Sequence, residues 1–108
     1  MDKRSMRPVH PGEVLREEYL VPLAMSANAL AIALRVPAPR INDVVRERRA
    51  ISPDTALRLA CYFGGDPKSW MNLQISYDLA RAEQISGEKI LGEIIPLSEK
   101  VDTNSHAR

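Results

Sequence analysis

The residues best suited to chemistry in this 108-residue chain are five arginines, Arg35, Arg40, Arg46, Arg48 and Arg49, opposed over that stretch only by Asp43 and Glu47. A guanidinium keeps its charge at any physiological pH and presents paired donors. These match phosphate oxygens and the O6/N7 edge of guanine. Asn42 can offer its amide to N6 and N7 of adenine. Asp43 is a poor neighbour for phosphate, but it can accept from a cytosine amine or orient a nearby arginine. Ala38 and Pro39 can give apolar contact to a thymine methyl. Taken alone, a charge run of this kind is a solvated helix face. What raises it above that is the spacing of the elements that carry it.

Ser26 is a good N-cap for a helix of Ala and Leu in which Leu30, Ala31 and Leu34 recur at helical spacing. Arg35-Val36-Pro37 makes a very short break. A second helix spans Ala38 to about Arg46, its inward face formed by Ile41, Val44 and Val45. Pro37 and Pro39 are tolerable only at its beginning, where backbone N–H groups have no intrahelical partner. Two helices joined by about three residues cross steeply, which is helix-turn-helix geometry, with Ala31 as the small residue at the crossing. In that architecture the start of the second helix enters the major groove. Ala38, Pro39, Arg40, Asn42, Asp43 and Arg46 then lie on or near the outward face, with Arg40 and Asn42 reading bases. Arg46, Arg48 and Arg49 suit phosphates, and Ser26 and Asn28 reach the backbone where the first helix crosses it. Arg35 occupies a turn position that usually holds glycine, and it carries a modest strain there. The bland alternative is a plain helix hairpin.

The flanking elements are set by local signals. His10-Pro11-Gly12-Glu13 starts a helix to about Leu20, with Glu13 able to reach back to a free backbone donor and Pro22 as the stop. Ser52-Pro53-Asp54 opens a helix over Thr55 to Phe63, closed by Gly64-Gly65. Asp66-Pro67 opens a fifth, carrying Trp70, Leu73, Tyr77 and Ala80 and ending near Gln84. Ser86-Gly87 weakens any helix beyond that point. Ile90 to Leu97 is apolar and β-branched, and it is expected to pack against its copy in a second subunit as a short strand, the rival being that it folds back on its own domain. Residues 76–100 hold three cations against five acids, so the basic middle and acidic end imply two surfaces with different partners. The expected organisation is all-α: a loose arm over 1–9, a five-helix domain over 10–84, and a C-terminal dimerisation segment and tail over 85–108.

Apolar residues make up 44% of the chain, charged residues 27% and aromatics 5%, which implies a soluble fold with an aliphatic core. Net charge is +1 and by itself says nothing of partners. Cys61 is the only cysteine, which excludes an internal disulfide and a multi-cysteine zinc site and suits a reducing cytoplasm. It is expected to be a buried or half-buried structural residue. His10 and His106 have no companion at ligand spacing, Glu17-Glu18 is a solvated pair, and no glycine-rich phosphate loop is present. No catalytic residue, cofactor or metal is therefore expected. No apolar run approaches the roughly 20 residues of a membrane span, and the first ten residues hold no apolar signal core.

Four blocks carry a family resemblance: His10-Pro11-Gly12-Glu13-Val14-Leu15, the helix-turn-helix, Ser52-Pro53-Asp54-Thr55-Ala56-Leu57-Arg58-Leu59-Ala60, and Ser69-Trp70-Met71-Asn72-Leu73-Gln74. Together they resemble the HigA-type, or VapI-like, antitoxins of the Xre/Cro–lambda repressor superfamily, over about Arg7 to Glu83. The resemblance implies a five-helix, lambda-repressor-like DNA-binding domain and a homodimer. It also implies a HigB-type partner toxin, a RelE-like messenger-RNA endonuclease, and repression of the operon encoding both proteins from its operator DNA. The family often has glycine after the recognition helix where this chain has Glu47, an acid among phosphate-facing arginines. Rival expectations are a stand-alone Xre-type regulator, a protein-interaction module with a basic helix, and a small RNA-cleaving enzyme, which would need a cluster of acid–base groups that is not visible.

Overall fold

A computed structural model describes residues 7–99. Those residues form five main helices, a further helical turn at 97–99, and no strand. The first, α1, joins Pro11–Val14, a π-helical stretch Leu15–Leu20 and Val21–Leu23. Beyond it come α2 (Ala27–Leu34), α3 (Ala38–Val45), α4 (Pro53–Phe63) and α5 (Pro67–Glu93). The expected starts recur with their caps: Ser26 Oγ accepts from Ala29 N, Ser52 Oγ from Thr55 N, and the Asp66 carboxylate from Lys68 N.

The core is aliphatic and belongs to the first four helices and the start of the fifth. Leu15, Leu30, Ala31, Leu34, Ile41, Val44, Ile51, Ala56, Leu59 and Trp70 are buried together. Trp70 anchors α5 against α1, its ring 5.4 Å from that of Tyr19, which lies 4.6 Å from Phe63 on α4. Gly12 explains the opening of α1. A Cβ there would stand 1.8 Å from the Val44 carbonyl oxygen, so only glycine lets α1 cross the back of α3 this closely.

The start of α1 is capped by an unexpected residue. His10 is 3% exposed, and its Nδ1 accepts from Gly12 N at 2.9 Å, while its ring meets Tyr77 of α5 edge-on at 4.8 Å. Burial pushes the imidazole below its usual range, toward the neutral form that this acceptor role requires. Glu13 takes the guanidinium of Arg7 at 2.8 and 3.0 Å, which ties the end of the expected loose arm to α1. Residues 1–6 of that arm, and the tail over 101–108 with His106, lie outside the described residues.

Helices α1, α2 and α3 all end in the same way. Ala24, Arg35 and Glu47 adopt left-handed backbone at φ 52°, 60° and 62°. The next amide in each case reaches back five residues: Met25 N to Leu20 O, Val36 N to Ala31 O, Arg48 N to Asp43 O. This is the Schellman closure, which glycine usually supplies. The strain expected at Arg35 is real, and it is repeated at two further sites.

Local expectations are corrected at Pro22, along α5 and at Cys61. Pro22 does not stop α1, which continues to Leu23 and ends through Ala24. The stretch before it is π-helical, with Val21 N donating to Arg16 O five residues back, and Pro22 stands in the first turn after that widened stretch. Helix α5 does not end near Gln84, and no strand forms at Ile90 to Leu97, because the helix runs through Gly87 and Ile90 to Glu93. The helix passes through two glycines, Gly87 and Gly92, and each costs only about 1 kcal/mol. The chain turns extended at Ile94 (φ −101°, ψ 124°), just before Ile95-Pro96, where proline disfavours helix in the residue ahead of it. The boundary expected at 84/85 thus falls inside a continuous helix. Finally, Cys61 is exposed. The inward stripe of α4 is Ala56, Leu59, Ala60 and the half-buried Phe63, which leaves Leu57 and Cys61 on the outer face. No helix among the described residues is long and apolar enough to cross a membrane.

Candidate nucleic-acid interface

Helices α2 and α3 are packed through Leu30, Ala31, Leu34, Ile41 and Val44, all buried. That packing turns the polar residues of both helices to one side. Pro37 precedes α3 without a side-chain cap, in extended backbone, and Arg40 N closes the first turn on Pro37 O at 3.1 Å. The start of α3 is therefore unobstructed by a capping side chain, with Ala38 half-buried and Pro39 exposed beside it.

Arg40 is not a free cation. Its Nη1 donates to Asp54 Oδ2 at 2.6 Å, and the same oxygen accepts from Arg58 Nε at 2.9 Å. The two guanidiniums, Arg58 first, hold the Asp54 carboxyl below the usual carboxylate range. Arg58 continues the chain of contacts: its Nη1 donates to Leu34 O at 2.8 Å, satisfying a carbonyl at the end of α2. Asp54 sits in the first turn of α4, where an acid also complements the helix dipole.

Asn42 is engaged as well. Its Nδ2 donates to Asn28 Oδ1 at 2.7 Å and to Ala38 O at 3.0 Å. Both amide hydrogens are thus used, leaving Oδ1 as the free edge. The bond joins the two helices of the motif and leaves the Asn28 amide nitrogen to face outward. Ser26 spends its oxygen on the cap, and its O–H remains a donor.

Arg46, Arg48 and Arg49 are exposed at the end of α3 and in the loop after it, and none has a side-chain partner among the described residues. Glu47 does not face them as an unmatched acid, since its carboxylate lies 3.4 Å from Nη2 of Arg16. Arg16 also donates to Val45 O, closing the end of α3 as Arg58 closes the end of α2. The loop is held from behind by Gln74 of α5. This residue is 5% exposed, accepts from Ile51 N at 2.7 Å and donates to Asp78 at 2.9 Å.

The structure thus brings Ser26, Asn28, Ala38, Pro39, Arg40, Asn42 and Asp43 together around the two helix starts, with Arg46, Arg48 and Arg49 around the end of α3. Asp43 is half-buried and makes no ion pair among the described residues. The carboxylate that orients Arg40 is Asp54. Arg16, Asp54, Arg58 and Gln74, which brace this face, are the residues that the sequence did not reveal. Their one signal in the sequence is the Asp54/Arg58 spacing of four on a helix. Among the described residues no group of three or more His, Cys, Asp or Glu is placed to hold a metal.

No protein-family model matches the chain. Individual proteins do. Virulence-associated protein I of Dichelobacter nodosus is 57% identical over 96 residues, covering 89% of this chain and 87% of its own. Antitoxin HigA-1 of Vibrio cholerae is 34% identical over 79 residues, 73% of this chain and 74% of its own. Among solved structures, the Pseudomonas aeruginosa antitoxin HigA with the higBA promoter superposes with a TM-score of 0.83 at 53% identity, covering 84% of this chain and 99% of that one. The match includes a solved protein–promoter complex, and it spans a fold whose polar face here gathers the arginines and asparagines of α2, α3 and the loop after α3. The chain therefore belongs to the HigA/VapI-like antitoxins of the Xre-type helix-turn-helix superfamily.

Proposed function

We propose that this chain is a sequence-specific DNA-binding antitoxin that represses its own operon as a homodimer and neutralises a HigB/RelE-like mRNA endonuclease. The observation that carries it is the arginine and asparagine face on a helix-turn-helix that shares its fold, at 53% identity, with an antitoxin solved with its promoter. Arg40 reads a guanine edge, Asn42 accepts from a base amine through its free Oδ1, and Ala38, Pro39 and Asp43 line the same groove. Ser26, Asn28, Arg46, Arg48 and Arg49 hold phosphates and set the register. The protein works in the cytoplasm, by binding and without catalysis.

The dimer forms through the outer half of α5. Leu79, Ala82, Gly87, Ile90 and Leu91 line a shallow apolar groove there, edged by Glu83 and Glu88. Ile94, Ile95 and Leu97 extend the exposed surface beyond it. An apolar strip this long is an association surface rather than a solvent face. It lies away from α3, so two subunits can pair and still present two recognition helices to half-sites about one helical turn apart.

The test is co-expression with the adjacent reading frame, then binding of the purified complex to the upstream DNA. Co-purification of a RelE-like protein whose RNA cleavage is suppressed supports the proposal. Binding of upstream DNA with no toxin partner leaves a stand-alone regulator in its place.

A further inference from the structure

We propose that Asp54 is a specificity-determining positioning residue, which holds the guanidinium of Arg40 in the pose that reads a base and keeps it from pairing with phosphate. The proposal rests on Arg40 being a base-reading residue. Asp54 Oδ2 takes only Nη1 of Arg40, at 2.6 Å. The Nε/Nη2 edge stays available, and that edge carries two parallel donors suited to O6 and N7 of guanine. Asp54 is itself fixed at two points. It belongs to the first turn of α4, and it accepts from Arg58 Nε at 2.9 Å, whose other arm is bonded to Leu34 O at 2.8 Å. Leu34, Arg58, Asp54 and Arg40 therefore form one continuous strut from the end of α2 to the reading face of α3.

Two physical effects of this strut act in the same direction. A guanidinium already held in plane loses less freedom on docking to its base, which favours the operator. A guanidinium paired with a carboxylate contributes little to sequence-independent attraction, which disfavours random DNA. Asp43, on α3 itself, makes no such pair. The discriminating carboxylate therefore comes from a different helix than the one that reads.

The experiment compares wild type, Asp54→Asn, Asp54→Glu, Arg40→Ala and the Arg40→Ala/Asp54→Asn double variant. Each is titrated with a duplex from immediately upstream of the coding frame and with a shuffled duplex of equal length, over a range of salt. Thermal unfolding confirms that each variant is folded. Asp54→Asn is expected to lower the operator-to-shuffled affinity ratio by roughly threefold to tenfold, and to steepen the salt slope on shuffled DNA by about one unit as Arg40 becomes free to meet phosphate. Asp54→Glu, which keeps the charge, recovers part of the ratio. In the Arg40→Ala background the Asp54 change leaves the ratio unaltered. A ratio unchanged or raised in Asp54→Asn, while Arg40→Ala loses more affinity on the operator than on shuffled DNA, overturns the role of Asp54 alone. Equal losses on both duplexes in Arg40→Ala overturn the base-reading role of Arg40 itself.

Discussion

The two halves of α5 show what a single subunit can and cannot bury. The first half is woven into the domain: Trp70 is packed under Tyr19, Gln74 holds the loop after α3, and Tyr77 covers the His10 ring. The second half carries as many large aliphatic residues but has nothing to lay them against. Leu79 is 59% exposed, Ile85 71% and Leu91 83%. Aliphatic residues occur in both halves, so their burial is decided by which other elements reach them. Helices α1 and α4 reach the start of α5. The outer half stays exposed in the single subunit.

That contrast can be broken at either end, and the largest effect is expected in the first half. Trp70→Ala removes the aromatic anchor and should cost about 3–5 kcal/mol of stability, read by chemical denaturation; a loss below about 1 kcal/mol would mean that the inner half is not the anchor described. In the second half, burying one leucine is worth about 1.5–3 kcal/mol, so Leu91→Ser should weaken self-association about tenfold or more while the subunit stays folded. Sedimentation velocity over a concentration series measures this, and an unchanged dimer would place the interface elsewhere.

The junction of the two halves should respond to pH. His10 caps α1 in its neutral form and its folded pKa lies below 6.5. Below pH 6.5 the unfolded chain binds a proton that the folded chain resists. Stability is therefore fully present above pH 6.5 and falls as the pH drops from there through the lowered folded pKa. Denaturation midpoints at about pH 7.5 and about pH 5.5 should show that decline, and it should be smaller in His10→Asn, which can still accept from Gly12 N. The smallest effect is expected far from α5. Arg35→Gly relieves a left-handed backbone and should stabilise by roughly 0.5 kcal/mol, the relief being partly offset by the freer unfolded chain. A destabilisation there would mean that the Arg35 side chain holds the turn by a contact of its own.

Much of the fold was legible because its signals are local. Ser26, Ser52-Pro53 and Asp66-Pro67 each mark a helix start within a few residues, and the three-residue break between α2 and α3 defines their crossing. The end of α5 was not legible. Its determinants, Ser86, Gly87 and a run of isoleucines, differ in helix propensity by fractions of a kcal/mol to about one, too little to stop a helix already under way. The interface divided in the same manner. The outward residues of α3 are fixed by helical phase. Arg16, Arg58 and Gln74 act on atoms 29, 24 and 23 residues away, and no spacing rule links them. Asp54 was visible as a helix-start acid, but its hold on Arg40 depends on how α4 packs beside α3.

The employment of arginines as internal struts has a kinetic consequence. Arg16, Arg40 and Arg58 sit against Glu17, Glu47 and Asp54, and the whole chain carries a formal charge of only +1. Beyond a Debye length, about 8 Å at physiological salt, the net charge of such a molecule adds little to its pull on a polyanion. Its encounters with DNA are then governed by ordinary diffusion, and orientation begins only when Arg46, Arg48 and Arg49 come within that distance. A protein built this way spends little time trapped on the bulk of the chromosome.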